Sequence, residues 1–305
     1  MANVQFHRFK TISEFHKFRG LPKPEHPLIS VINLADVKVM PEGESSILLD
    51  FYSIALKRNF NAKIRYGQQA YDFDEGIMFF MAPGQVFRIE VEKGVPSNHS
   101  GWMLLIHPDF LWNTSLYKVI KDCEFFDYSV HEALFLSEKE ENTIAAIMQN
   151  IQHEYNLNID RFSHNVMLAQ LELLLTYSER YYNRQFLTRK ISNHSVLKKL
   201  DDILTAYFAD ESISKSGLPT VQYIAETLNM SPSYLTGLLK VLTGQSTQQH
   251  IHDKLIERAK EKLSLTDCSV SVIAYELGFE HPQSFSKLFR SKTKLSPLEF
   301  RASFK

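Results

Sequence analysis

Cysteine is nearly absent from this chain. Cys123 and Cys268 are the whole complement in 305 residues, far apart and outside any Cys-x-x-Cys. That excludes a disulfide framework and a cysteine zinc site, and leaves two ordinary thiols suited to a reducing compartment. His-x-His is missing as well: His99 and His107 are eight apart with no carboxylate at ligand spacing, and His7, His16 and His26 lie near the start. A β-barrel enzyme brings two or three histidines and a carboxylate together on neighbouring strands, and that pattern is not written here. There is no Gly-rich phosphate loop and no Ser or Cys in a nucleophile-elbow setting. We therefore expect no enzyme, no metal and no cofactor; a barrel enzyme with an accessory C-terminal part is the weaker alternative. No run of ~18 apolar residues occurs, and the first residues lack a signal-peptide core. The expectation is a soluble, cytoplasmic protein without a membrane partner.

A surplus of positive charge is lacking too, with 34 Lys and Arg against 35 Asp and Glu, a net of −1. The distribution is uneven. From Ser195 onward there are 14 basic against 12 acidic residues, and from His281 to the end six against a single Glu299. A weak overall field with a basic end implies modest affinity for polyanions and a shallow salt dependence. The plainer reading of that end is a solvated tail.

What the chain does contain is a repeat. The stretch VSVIAYELGFEHPQSFSKLFRSKTKLSPLEFR, residues 270–301, reads as two short helices and a sharp turn. Ile273, Ala274 and Leu277 form one apolar face. Gly278 suits a left-handed helix end, and Pro282 a first helical turn. Phe285, Leu288 and Phe289 then point inward, leaving Gln283, Ser286, Lys287 and Arg290 at i, i+3, i+4 and i+7 on the other side. A single segment of this kind could be any helical hairpin with a solvated face. The same text occurs earlier, however, as YIAETLNMSPSYLTGLLKVLTGQST from Tyr223. Ile224, Ala225 and Leu228 precede their counterparts by 49 residues, and Pro232, Leu235, Leu238, Leu239, Lys240, Thr243 and Ser246 precede theirs by 50. One residue has been added in the second turn and none in either helix. The outward face of the first copy is Ser233, Thr236, Gly237 and Lys240. Tandem helix-turn-helix units, about 220–243 and 270–293, are the reading, each offering its second helix to a major groove.

Between the copies Ile251, Leu255, Ala259 and Leu263 recur every four residues without Pro or Gly. This predicts one helix over 246–263, a strut of roughly 27 Å at 1.5 Å per residue. Successive major-groove segments on one face of DNA lie about 34 Å apart, so such a strut plus its turns suits two adjacent segments.

On these residues, with the ERAKEKL end of the linker helix and LSPLEFR, residues 196–305 resemble the DNA-binding domain of the AraC/XylS family of bacterial transcription regulators. The resemblance implies a partner in double-stranded DNA, with RNA polymerase a further candidate. It places Ser233, Thr236, Gly237, Lys240, Gln283, Ser286, Lys287 and Arg290 at base- and phosphate-facing positions, with Lys240, Lys292 and Lys294 on phosphates. Two departures stand out. Gly237 sits where the family usually has a side chain able to reach a base, and Lys294 replaces the Gly that usually ends the second recognition helix.

The rest of the chain is organised differently. Residues 1–27 read as an irregular arm carrying Pro22, Pro24 and Pro27. Over 28–112 the period shifts to two, as in Val86-Phe87-Arg88-Ile89-Glu90-Val91, with Gly- and Pro-marked turns. The apolar run 77–81 reads as a strand buried on both faces, and 102–106 as another. A small jelly roll or barrel is expected; the resemblance implies a cupin-like, effector-holding one. Tyr66, Tyr71, Phe80 and Trp102 are candidate cavity residues, each of which also reads as a plain core aromatic. Residues 113–183 read as helical. Ser137-Glu138-Lys139-Glu140 is a capping box, and the helix over about 160–182 is apolar around more than half its girdle. Such a helix needs cover on two sides, which predicts a homodimer through helices 138–182, or else cover by the C-terminal domain. A linker at 184–195 completes an α+β chain: a cupin-like β-barrel, two flanking helices, and an all-α domain of two helix-turn-helix units. The function expected is effector-responsive, sequence-specific transcription regulation; the alternative is a dimeric regulator without an effector.

Overall fold

The computed structural model describes residues 5–37, 43–58, 76–91, 100–129, 132–157, 160–188, 190–209 and 217–303. The chain divides into two units, 1–185 and 186–305, each with its own core.

The first unit is mixed α and β. Its elements run β1 (Gln5–Phe9), α1 (Ile12–Phe18), β2 (Ile29–Asn33), β3 (Gly43–Leu49), β4 (Tyr52–Arg58), β5 (Gly76–Met81), β6 (Val86–Val91), β7 (Ser100–Ile106), α2 (Leu116–Asp122), β8 (Leu134–Leu136), α3 (Glu138–Asn156) and α4 (Ser163–Thr188). Two sheets form among the described residues, in the orders β1-β3-β6 and β2-β7-β4-β5-β8. The larger is antiparallel throughout. In the smaller, β1 joins β3 in parallel, which departs from the all-antiparallel meander that the alternating sequence suggests. Phe9, Ile12, Phe15, Ile32, Ile47, Leu49, Phe51 and Leu105 fill a core between the sheets.

The arm expected at 1–27 is therefore built into the fold. Thr11 accepts from the Glu14 N–H at 3.2 Å while the Glu14 carboxylate accepts from the Thr11 N–H at 3.3 Å, a capping box that starts α1. Phe9, Ile12 and Phe15, three apart, turn one face inward. The run 77–81 is likewise not buried on both faces. Met78 and Phe80 are buried, whereas Ile77, Phe79 and Met81 are half-buried, the alternation of a strand with two unequal sides.

The capping box expected at Ser137 is present and opens α3, which packs on β2, β7 and β8. The end of α4 is pinned to β8 by buried polar groups. The Gln185 amide accepts from the Phe135 N–H at 2.9 Å and donates to the Ala133 carbonyl at 3.2 Å, and Arg184 donates to the Phe135 carbonyl at 2.7 Å. On the same helix Met167, Leu171, Leu174 and Leu175 are buried, but Val166 and Leu173 stay 41% and 42% exposed.

The stretch 184–195, read as a linker, is helical where it is described. α4 continues through Thr188, and α5 spans Lys190–Ala209. NRQFLTRKISNHS contains no Pro or Gly, so nothing in it stops a helix, and burial of Gln185 and Phe186 anchors its start. The boundary between the units still falls inside the stretch, after Gln185.

The second unit is all helical where described: α5, α6 (Val221–Thr227), α7 (Pro232–Thr243), α8 (Thr247–Leu265), α9 (Val270–Glu276), α10 (Pro282–Thr293) and α11 (Pro297–Ala302). The repeat is reproduced to the residue. α6 and α9 have seven residues each and begin 49 apart; α7 and α10 have twelve each and begin 50 apart. The third helices also correspond, because Ser246 and Ser296 both form capping boxes, with Gln249 and Glu299. The turns differ as the inserted residue requires: Asn229 is left-handed in the first (φ 54) and Gly278 in the second (φ 86). Ile251, Leu255, Ala259 and Leu263 of α8 are buried, and α8 packs on α5, α7, α9, α10 and α11.

Lys294 ends α10 in the left-handed region (φ 66), its N–H donating to the Arg290 carbonyl at 2.9 Å. A residue with a Cβ is strained there. Lys294→Gly should stabilise the chain by about 1 kcal/mol, read as a higher urea midpoint; an unchanged or lower midpoint would contradict the strain. At Gly101 (φ +121) a Cβ would fall 2.1 Å from the Leu56 carbonyl oxygen. Gly101→Ala should cost roughly 2–4 kcal/mol in the same measurement.

Candidate nucleic-acid interface

The two second helices are seated by apolar contacts on their inner sides. In α10, Phe285 and Phe289 are fully buried, and an aromatic chain links Phe279, Phe285, Phe289 and Phe300 at ring spacings of 5.5, 5.7 and 5.4 Å. This fixes the roll of α10 and so decides which side chains face out. Gln283, Lys287 and Arg290 are exposed and Ser286 is half-buried, all four along one stripe. Its outer end carries Lys292 and Lys294, both exposed.

The first copy presents less. Lys240 is exposed, and Ser233 and Thr236 are half-buried. Gly237 is buried. The Thr236 hydroxyl lies 3.0 Å from that of Thr247, which is itself fully buried at the start of α8. Thr236 thus fastens α7 to the strut, and the outward surface of α7 is narrower than that of α10. Tyr234, one turn earlier, packs edge-on against Phe186 at 5.0 Å.

The strut holds the two copies in register through polar ties that the sequence reading missed. Lys292 Nζ lies 2.6 Å from an Asp253 oxygen, and the Gln245 amide donates to the same carboxylate at 2.9 Å. Lys262 meets Glu276 at 2.6 Å, and Lys254 meets Asp201 at 2.8 Å. Arg301 donates to the Cys268 carbonyl at 2.6 Å, closing the last helix onto the turn before α9. Pairs separated by 39 or 33 residues leave no periodic trace in a sequence. Beside the Lys292 pair, burial lowers the pKa of His252, with the Lys292 charge adding to it, and burial likewise lowers that of His250. Both imidazoles are thereby biased toward the neutral form.

Of the candidate cavity residues, Tyr66 and Tyr71 lie outside the described residues. Phe80 faces a recess shared with Phe125 and Tyr182, at ring spacings of 4.6 and 6.0 Å. Trp102 is half-buried on β7, opposite Asn33 on one side and Leu56 on the other. Cross-strand partners share a face, and the pairings Ile54–Phe80 and Leu56–Trp102 put both aromatics on the face of the larger sheet that carries Ile54 and Leu56. Among the described residues no cluster of three or more His, Cys, Asp or Glu is placed to hold a metal ion, and no helix is long and apolar enough to cross a membrane.

Paired helices on a common strut with basic, polar outer faces define a tandem helix-turn-helix DNA-binding unit. Residues 224–303 match the family described as a helix-turn-helix domain. The chain is 40% identical over 78 residues to the uncharacterized transcriptional regulatory protein YesN of Bacillus subtilis (strain 168), covering 25% of this chain and 21% of that protein. It is 30% identical over 139 residues to the transcriptional activator RhaS of Escherichia coli O139:H28, covering 46% of this chain and 45% of that one. The chain thus spans less than half the length of either relative. A solved structure of an AraC-type regulator from Chromobacterium violaceum aligns at 21% identity and a TM-score of 0.28, over 34% of this chain and 94% of that one. The C-terminal unit is an AraC-type helix-turn-helix domain, and its relatives are AraC-family transcription regulators.

Lys292 carries its own counterion in Asp253. Asp253→Asn should free it for phosphate and steepen the slope of log K against log salt by about 0.9, one phosphate's worth. Fluorescence anisotropy on a DNA duplex across a salt series measures this, and an unchanged slope would remove Lys292 from the phosphate contacts.

Proposed function

We propose that the protein is a sequence-specific transcription regulator that binds double-stranded DNA as a homodimer in the cytoplasm. A small molecule held in the cupin-like N-terminal unit controls it. The observation that supports this most is the repeat: two helix-turn-helix units of equal element lengths packed on one buried helix. α8 has 19 residues, a strut of roughly 29 Å, which suits two neighbouring major-groove segments. Gln283, Ser286, Lys287 and Arg290 read bases. Ser233, Thr236 and Gly237 lie close to the first segment and contribute little discrimination, because a hydroxyl engaged with Thr247 and a glycine have little to offer a base edge. Lys240, Lys292 and Lys294 hold phosphates, and RNA polymerase is the partner that a DNA-bound activator or repressor would meet.

Dimerisation is assigned to α3 and α4. Val166 and Leu173 are seven apart on α4, hence on one stripe, and both remain exposed while four other apolar residues of the helix are buried. A second copy laying the same stripe alongside would cover them.

An operator selected from random duplexes supplies the test. Gln283→Ala should weaken binding to that operator by roughly 5- to 150-fold (~1–3 kcal/mol) and leave random DNA nearly unaffected, whereas Lys294→Ala should weaken both by the same factor. Equal losses on both DNAs for both variants would overturn the base-reading assignment. For the dimer, the double change Val166→Glu and Leu173→Glu should yield a monomer in sedimentation at micromolar concentration; a retained dimer places the interface elsewhere.

A further inference from the structure

The strands of the first unit alternate, and alternation decides what meets between the sheets. On β4, Ser53, Ala55 and Lys57 share one face, opposite that of Ile54 and Leu56. Register carries this face to the neighbouring strands: Ala55 pairs with Phe79 of β5 and Met103 of β7, and Ser53 pairs with Met81. Ile47 and Leu49 of the smaller sheet look back at them, and α1 closes one end with Phe15 and Arg19. The result is a cavity of about 490 Å³ of empty space, part of it open to solvent. Its size is that of a small-molecule site, and its wall is apolar apart from Ser53 and two cations.

Those cations are the informative part. Arg19 is only 6% exposed, with its guanidinium 5.4 Å from the centre of the Phe15 ring and 5.9 Å from that of Phe18. The Lys57 ammonium stands 5.2 Å from the centre of the Phe79 ring. Aromatic faces steady a cation without neutralising it. Both heads therefore bring positive charge to one apolar space, where charges interact more strongly than in water. Burial and the charge of Arg19 depress the pKa of Lys57 to about 8, and burial depresses that of Arg19 to about 10. A carboxylate entering the space would offset that cost at both groups.

We propose that the cavity between the two sheets binds a small monocarboxylate with an apolar body, its carboxylate held by Arg19 and Lys57 and its body lying against Phe79, Met81 and Met103. Guanidinium and ammonium together give one planar, forked donor and one point charge, a pair suited to a carboxylate. The four aromatic and thioether side chains accept either an aromatic ring or a short aliphatic chain, because methionine adapts to both. This deepens the sensor reading by assigning the class of ligand, and it places the ligand on the other face of the larger sheet from Phe80 and Trp102.

The test uses the full chain with sodium benzoate and sodium octanoate as probes, and benzamide and octanamide as their neutral counterparts, in thermal-shift and calorimetric titrations. At least one carboxylate should raise the melting temperature, and its amide should bind at least 10-fold more weakly; which acid does so distinguishes the aromatic from the aliphatic source. Lys57→Met, which keeps the length of the side chain and removes the charge, should lose at least 10-fold in affinity for the acid. Met103→Trp, which fills the space and leaves both cations, should abolish the shift. Acid and amide binding alike, Lys57→Met binding as tightly as the parent, or neither acid binding at millimolar concentration would each overturn the proposal. Operator affinity measured with and without the bound acid separates the two readings. If the acid binds and DNA affinity does not change, the ligand site stands and the sensor function fails. If neither acid binds but a neutral sugar alters DNA affinity, the sensor function stands and this ligand class fails.

Discussion

The C-terminal unit depends on one apolar seam, the row Ile251, Leu255, Ala259 and Leu263 buried along α8. Each helix-turn-helix pair is too short to hold its own core, since a seven-residue and a twelve-residue helix cannot cover each other's apolar faces on all sides. Packing both pairs on one strut completes two small cores at once and fixes how each second helix presents its outer face. Deleting a buried leucine from such a seam costs ~2–5 kcal/mol, against a total of 5–15 kcal/mol for a typical domain. Polar ties from Asp253, Lys262 and Lys254 lie around the seam. As half-exposed ion pairs they set register more than they add stability.

The two copies have diverged within this shared frame. α10 keeps an exposed polar stripe over an aromatic core, whereas α7 has a buried glycine and a threonine bonded to the strut. The same backbone plan therefore offers a wide surface on one side of α8 and a narrow one on the other. In the N-terminal unit a similar asymmetry arises from strand alternation. One face of the larger sheet is packed with Ile54, Leu56, Met78 and Leu104, while the other carries Lys57 and half-buried Phe79, Met81 and Met103 into an open space. A face that is incompletely filled and positively charged is poorly suited to be only a core.

Helical repeats were the most legible part of the sequence, because apolar spacing, Pro at a first turn and a left-handed turn residue all bear on the same few positions. The equal lengths of the paired helices follow from that spacing, and so does the left-handed Lys294. The arm at 1–27 was misread because its three prolines drew attention from the Thr11–Glu14 capping box and from Phe9, Ile12 and Phe15. The stretch 184–195 was misread for a different reason: a polar, aperiodic composition does not prevent a helix when no Pro or Gly intervenes and its start is anchored at Gln185 and Phe186. Lys57 escaped notice because a lysine near a strand end ordinarily points to water. Only the register with Ile77 and Gly101 shows which face it shares. Tertiary ties such as Lys292 with Asp253 leave no local signal at all.

The central claim is that both helix-turn-helix units of one chain enter the same face of a duplex, in successive major-groove segments. Methylation interference on a selected operator addresses it directly, since methyl groups on guanine N7 block the major groove. The account predicts two patches of interfering guanines per chain, centred about one helical turn apart, with the stronger patch weakened selectively in the Gln283→Ala variant. A single patch per chain, or two patches on opposite faces of the duplex, would contradict it.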